Sequence, residues 1–312
     1  TGEDTLSLHD ALPISEVSRG ILMVMTAVAI FSVGDLMAKY LTRFYPIALI
    51  VWARFAFHLL FVVLMLGPRY RSSLVRTERL GAQLLRGLLL VCGSIFFVSG
   101  LKYMPLAEAT SIAYLAPLLV TLMSVVFLKE KVELARWIAV LCGFIGVLTI
   151  IRPGSSVFSW AVLLPIGNAI VFASYQILTR RLAGLESPYT SIFYAGLVGT
   201  ALMAFALPSV WMLPQSALHA ALFVGIGSLG GFGHLILIKA YDHAPASRLA
   251  PFSYSQLIWV AAIGFFAFGE FPDAWSLLGI AILVASGIYI ASHQRRSERR
   301  LRNDEIETPS AD

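Results

Sequence analysis

Polar positions in this chain are sparse and clustered. Between the clusters lie ten apolar runs, at about residues 20–41, 46–66, 83–101, 106–128, 136–151, 159–182, 189–207, 217–241, 246–268 and 275–292. A run of about 18 apolar residues or more reads as a helix that crosses a membrane. The pattern therefore predicts an all-α integral membrane protein of ten transmembrane helices, the fifth and tenth being the shortest. The stretch 293–312 is charge-dense and has no apolar period, so a disordered tail is expected there.

Composition sharpens this picture. The 312 residues are 58% hydrophobic and 13% charged, with a mean hydropathy of +0.80. Soluble domains average ~45–50% apolar and ~25% charged, so most soluble enzymes are excluded. The net charge of +5 is spread between apolar runs and makes no patch for nucleic acid. Of the 23 Lys and Arg residues, Arg54 lies within a span, and Lys39, Arg43, Lys102 and Arg152 fall on one side of the expected membrane. The other 18 fall on the opposite side. By the positive-inside rule both termini are expected in the cytoplasm, as in a multi-pass protein of a bacterial inner membrane. Cys92 and Cys142 fall inside apolar runs and read as packing residues.

Residues 1–15 are set aside as processing or cloning history. Thr5 to Ile14 spell the translation of a short-read sequencing adapter, ACT CTT TCC CTA CAC GAC GCT CTT CCG ATC. The expectation is an artefact or short leader, in which His9 has no function.

Comparing the chain with itself at an offset of 140 pairs Gly87 with Gly227, Gly93 with Gly233, Pro105 with Pro245, Tyr114 with Tyr254 and Glu130 with Glu270. At nearby offsets Phe31 pairs with Phe172, Lys39 with Arg180 and Pro46 with Pro188. Two repeats follow, 16–155 and 156–292. Five spans in each force the second to enter the membrane from the opposite face, an inverted-topology repeat. The residues Tyr103-Met-Pro-Leu-Ala-Glu-Ala-Thr-Ser111 leading to Leu128-Lys-Glu130, and His243-Ala-Pro-Ala-Ser-Arg248 leading to Phe268-Gly-Glu270, resemble the paired fourth and ninth helices of the EamA-type branch of the drug/metabolite transporter superfamily. The resemblance covers about 19–292. It departs at Lys129, where such proteins commonly carry Gly, so Glu130 is expected at a helix end rather than against a substrate. It implies secondary transport of small organic metabolites such as amino acids, vitamins including flavins, nucleosides, adenosyl compounds or drugs.

Charges at membrane depth cost ~2.5–3.5 kcal/mol on insertion scales, and two need an explanation. Asp35 and Arg54, in the first and second spans, are expected to differ in depth by about 4 Å at the helical rise per residue. They are expected to pair when the site is empty and to be parted by an anionic substrate group or a proton. A permanent structural pair, or Asp35 held by Lys39 one turn away, is the alternative. His58 lies one turn from Arg54, and His234 lies in the eighth span; either is a candidate proton acceptor or a packing histidine. Thr110, Tyr114, Pro117, Thr121 and Ser124 share one face of the fourth span, and Tyr254 answers Tyr114 across the repeat. These tyrosines are expected to oppose each other and offer rings and hydroxyls to a ligand. The alternative for the Ser and Thr residues is a bond to their own preceding turn. Pro117 and Pro251 free backbone carbonyls or simply kink their helices. Asn168, Tyr175, Gln176, Ser253 and Gln256 complete the hydrogen-bonding candidates. Glu108 and Arg248 occupy equivalent repeat positions at opposite ends and suit gates.

Gly225-Ile-Gly-Ser-Leu-Gly230 matches a dinucleotide fingerprint but follows no strand, so its glycines are expected to let helices approach closely. No phosphate-binding loop or zinc-ligand spacing is present, and neither cofactor nor metal is expected. A small-molecule substrate and the lipid bilayer are the expected partners, with protons permitted by Asp35 and His58. An intramembrane enzyme would need a second carboxylate or a paired nucleophile at depth. A scaffold or chaperone would need neither Arg54 at depth nor the polar stripe.

Overall fold

The computed structural model describes residues 14–127, 134–154, 159–182 and 184–307. The adapter-like residues Thr5 to Pro13, and Lys129 and Glu130, lie outside them. Thirteen α-helices are described: α1 (Ile14–Leu41), α2 (Ile47–Tyr70), α3 (Leu80–Tyr103), α4 (Leu106–Ala113), α5 (Ala116–Phe127), α6 (Leu134–Ile151), α7 (Leu163–Leu182), α8 (Pro188–Ala204), the single turn α9 (Leu207–Val210), α10 (Ala217–His243), α11 (Ala246–Ser253), α12 (Ser255–Phe268) and α13 (Ala274–Glu307). Among the described residues no strand is present.

Seven segments are long and apolar enough to cross a membrane: Glu16–Leu41, Ile47–Leu74, Leu80–Tyr103, Leu106–Phe127, Trp160–Leu182, Ala217–His243 and Arg248–Phe268. Trp137–Ile151 and Ala274–Ile290 are shorter apolar helices, and α8 has 17 residues. Length alone thus yields fewer spans than the ten expected. The last helix also continues past residue 293, where an irregular tail was expected, to Glu307. Its polar end, from residue 293 to Glu307, has no Gly or Pro and is rich in Arg and Glu, good helix formers that carry the backbone on.

Two spans are broken, and both breaks fall on repeat-equivalent tyrosines. Tyr114 and Leu115 separate α4 from α5, because Pro117 lacks an N–H and its ring crowds the carbonyl four residues back. Tyr254 separates α11 from α12, three residues after Pro251, where the backbone tightens to Tyr254 N–Pro251 O and Leu257 N–Tyr254 O bonds.

Helix pairing is symmetric under exchange of the halves. α1 packs along α10 and α12; its repeat mate α7 packs along α3 and α5. α2 packs on α10 as α8 packs on α3, and the mates α2 and α8, and α6 and α13, pair with each other. The principal interfaces therefore run between halves, so the repeats interlock instead of forming two separate bundles. Small residues permit the closest crossings. A Cβ on Gly227 would stand 2.6 Å from the Phe57 Cβ and 2.8 Å from the Arg54 carbonyl oxygen. Of the discounted fingerprint's glycines, Gly227 thus serves close helix approach, whereas Gly225 and Gly230 meet only side chains, of Met37 and His58. Outward, large apolar side chains stand bare, Phe205 and Phe266 each at 85% exposure. Such a surface is costly in water and natural against lipid.

Candidate functional site

Among the described residues the most buried charge lies where four elements meet. Asp35 of α1 is 4% exposed. Its Oδ1 accepts from Arg54 Nη1 of α2 at 3.2 Å, and its Oδ2 accepts from Gln256 Nε2 of α12 at 3.4 Å. Gln256 turns its Oε1 to the Tyr114 hydroxyl at 3.0 Å, and that hydroxyl also reaches the Ser253 carbonyl at 2.7 Å. The two acceptors share one phenolic proton. A continuous chain from Arg54 through Asp35 and Gln256 to Tyr114 therefore joins both repeats at the two helix breaks. Lys39 is not Asp35's partner. Its ammonium donates to the Met104 carbonyl at 2.6 Å and pairs with Glu270 Oε2 at 3.0 Å.

Tyr114 and Tyr254 do oppose each other, with centroids 5.1 Å apart and planes tilted 48°. A planar ring held between them would need about 7 Å, two van der Waals contacts, so here they touch each other instead of flanking a ligand. His58 and His234 meet edge to face at 5.9 Å. His58 Nε2 lies 3.3 Å from the Ile192 carbonyl, a pure acceptor, which assigns the ring proton to Nε2. His234 is exposed, with its ring 5.0 Å from that of Phe31. Arg54, unlike Asp35, keeps 29% of its side chain exposed.

Other candidates lie elsewhere. Tyr175 does not join the Asp35 chain: its hydroxyl accepts from Arg86 Nη2 at 3.1 Å, and the guanidinium lies 5.1 Å over its ring. Asn168 sits against α3, its Oδ1 3.1 Å from where a Cβ on Gly93 would stand. Thr121 bonds the Pro117 carbonyl at 3.2 Å and Ser124 the Thr121 carbonyl at 2.9 Å. These two hydroxyls of the stripe are satisfied by their own helix, which costs nothing in tertiary packing, while among the described residues buried Thr110 Oγ1 has no partner. Gln176 is half-buried on α7 at the position equivalent to Asp35, and Arg248 is half-buried near the start of α11. Glu108 accepts from Ser276 Oγ at 3.1 Å.

Two features escaped the sequence reading. Arg86, counted there only among the orienting charges, is 7% exposed and also donates to Thr179 and Gln83, and Gln83 donates on to Glu186 and Ser191. The Lys39–Glu270 link ties α1, the α3–α4 turn and the end of α12 together. Its signal was available: Lys39 and Glu270 each recur as a like charge, Arg180 and Glu130, at the equivalent position of the other half. Close by, Asp273 pairs with Arg152 at 2.7 Å and accepts from the Ser276 N–H at 2.8 Å. The Ser276 N–H, aided by Arg152, holds its carboxyl below the usual carboxylate range.

Two cavities are lined by none of Asp35, Arg54, Gln256 and Tyr114. One of about 540 Å³ between α12 and α13 is almost wholly apolar and reaches Tyr254; another of about 620 Å³ lies among the α2–α3 and α7–α8 connections beside Thr77 and Glu186. Among the described residues no cluster of three His, Cys, Asp or Glu side chains could hold a metal.

Seven membrane-length apolar helices with bare apolar side chains facing outward define a multi-pass membrane protein. The chain belongs to the EamA-like transporter family, whose profile matches twice, at residues 18–152 and 159–292. It is 31% identical over 289 residues to the riboflavin transporter of Vibrio cholerae serotype O1, covering 91% of this chain and 97% of that protein. It is 30% identical over 291 residues to the S-adenosylmethionine uptake transporter of Rickettsia prowazekii, covering 93% and 97%. The pseudopaline exporter CntI of Pseudomonas aeruginosa is 27% identical over 281 residues, covering 88% and 96%. A solved crystal structure with 21% identity shares the fold, with a TM-score of 0.64 over 90% of this chain and 99% of that one.

Proposed function

We propose that the protein carries a small organic metabolite across a bacterial inner membrane by alternating access, using ten helices arranged as two inverted five-helix repeats with both termini in the cytoplasm. The exchange-symmetric helix pairing and the matched breaks at Tyr114 and Tyr254 support the inverted arrangement. It requires α6, α8 and the first part of α13 to cross as well, which local bilayer thinning accommodates at modest cost. The skew of Lys and Arg supports the orientation.

One observation carries the reading: the pair of buried Asp35 with partly exposed Arg54, set within the first two spans and linked through Gln256 and Tyr114 to the other repeat. An ion pair at that depth is costly and adds little net stability, whereas a substrate group that takes one partner finds a prepared site. Lys39 with Glu270, and Glu108 with Ser276, close one end, while Arg248 suits a gate at the other. Relatives move riboflavin, S-adenosylmethionine or pseudopaline, so these classes are the first to try. Proteoliposomes holding the purified protein should accumulate at least one of them, with and without an imposed pH gradient separating coupled from passive flux. Arg54→Gln should abolish that flux while the protein still purifies folded. Wild-type flux in this variant would sink the reading.

A further inference from the structure

α13 is one unbroken helix that carries two unlike surfaces in series. Its apolar part, which ends at Ile290, packs chiefly on α6 and α11, whereas α12 packs on α1 and α4. The two helices, neighbours in sequence, therefore diverge, and the apolar cavity of about 540 Å³ lies between them. Tyr254 and Ala262 line one wall, and Leu277, Val284 and Ile288 the other. Ile258 and Phe271 also line it and are exposed, so the cleft is open at the surface of the protein. From Leu277 to Ile288 it follows α13 for about 16 Å, close to the roughly 15 Å of hydrocarbon in one leaflet.

The helix face that lines the cleft continues into the charged stretch. Arg295, Arg299 and Arg302 stand seven, eleven and fourteen residues beyond Ile288, a spacing that keeps all three on its face of the helix. Glu298 and Glu305 fall at the border of that face, and Asp304 and Glu307 fall away from it. Arg295 follows Ile290 by about 8 Å along the axis, roughly the depth of a headgroup layer. A groove one leaflet long thus leads to three positive positions at headgroup height. Basic clusters beside a membrane span attract anionic lipid, and Arg matches phosphate through parallel donors. We propose that the α12–α13 cleft holds one acyl chain of an anionic phospholipid, whose phosphate lies at the arginine face of α13. A second copy of the chain fits this place less well. Related by a twofold axis along the membrane normal, it would bring its own three arginines to the same height, where like charges repel.

The test uses the purified, delipidated full chain in detergent. Thermal unfolding midpoints are followed against added lipid, and native mass spectrometry counts bound lipid and subunits. The probes are phosphatidylglycerol, phosphatidylcholine with the same acyl chains, and glycerol 3-phosphate, which has the phosphate but no chain. Phosphatidylglycerol should bind roughly tenfold or more tightly than phosphatidylcholine, as expected for several arginines near one phosphate, and glycerol 3-phosphate should not stabilise. Arg295→Gln/Arg299→Gln/Arg302→Gln, placed beyond the apolar helix, should bring phosphatidylglycerol down to the level of phosphatidylcholine. Ala262→Trp, which fills the cleft, should weaken phosphatidylglycerol several-fold; the triple variant decides the matter if this one does not fold. Equal binding of the two lipids, or a preference that survives in the triple variant, would overturn the proposal. Undiminished phosphatidylglycerol binding in folded Ala262→Trp would place the chain elsewhere and overturn it too. A dimer that Ala262→Trp dissociates, without any lipid preference, would assign the cleft to a second copy instead.

Discussion

Gly227 of α10 lies so close to α2 that a Cβ there would stand 2.8 Å from the carbonyl oxygen of Arg54 and 2.7 Å from the amide nitrogen of His58. The backbone that carries the candidate site is thus seated on a glycine of the other repeat. Gly227→Ala should force α2 outward at a cost of about 1–3 kcal/mol, as overpacking does, and should reduce transport by displacing Arg54. Gly225→Ala, which meets the flexible Met37 side chain at 3.1 Å, should be milder. Thermal unfolding of the two purified variants ranks them; an equal effect would show that α2 has room to move.

The two facing tyrosines should not be equivalent. Tyr114 holds both Gln256 and the Ser253 carbonyl through its hydroxyl, whereas among the described residues Tyr254's hydroxyl has no hydrogen bond and packs against Gly287. Tyr114→Phe should cost about 1 kcal/mol and release Gln256, slowing flux well beyond the effect on stability. Tyr254→Phe should leave both nearly unchanged. Initial rates in proteoliposomes decide this, and matching defects would contradict it.

Lys39 is 6% exposed, so removing its partner strands a buried ammonium. Glu270→Gln should destabilise by about 3–5 kcal/mol, and the double variant Lys39→Met/Glu270→Gln should recover much of that loss. A double-mutant cycle of unfolding midpoints measures the coupling. Simple additivity would mean that the pair contributes nothing as a pair.

The Asp273 contacts add an acid-sensitive element at the same end. Its folded pKa lies below the unfolded value, so the stabilisation is complete above the unfolded pKa and is lost as pH falls toward the folded one. The carboxylate is half exposed, which limits the effect to the ~0.2–1 kcal/mol of a solvent-screened pair. Asp273→Asn should flatten the acid limb of midpoint against pH by that small amount, and an unchanged limb would rule the contact out as its source.

Much of the site was legible before any coordinates. Asp35 and Arg54 stood out because charge inside a span is costly, and the rise of a helix put them at similar depths. Tyr114 and Tyr254 stood out because the repeat aligns them, and both sit at their breaks. For the stripe of Thr121 and Ser124 periodicity reports only that hydroxyls share a face, and of the two readings it left open the structure has each hydroxyl bonded within its own helix. Tyr175 was legible only in part. Its face on α7 was legible, but the neighbour waiting there, buried Arg86 of α3, was not.

The sequence by itself determined the apolar runs, the duplication and the two charges that need an explanation, since each follows from local hydrophobicity, from repeat spacing or from the cost of charge in lipid; the transporter family followed from the resemblance of its fourth and ninth helices to known members. The tertiary structure decided which polar groups meet. It sent Lys39 to Glu270 and away from Asp35, brought Gln256 onto the carboxylate, and interlocked the repeats so that α1 packs on α10 and α12. Helical periodicity fixes the direction in which a side chain leaves its own helix. What it meets is fixed by the packing of another helix, here mostly one from the opposite half of the chain.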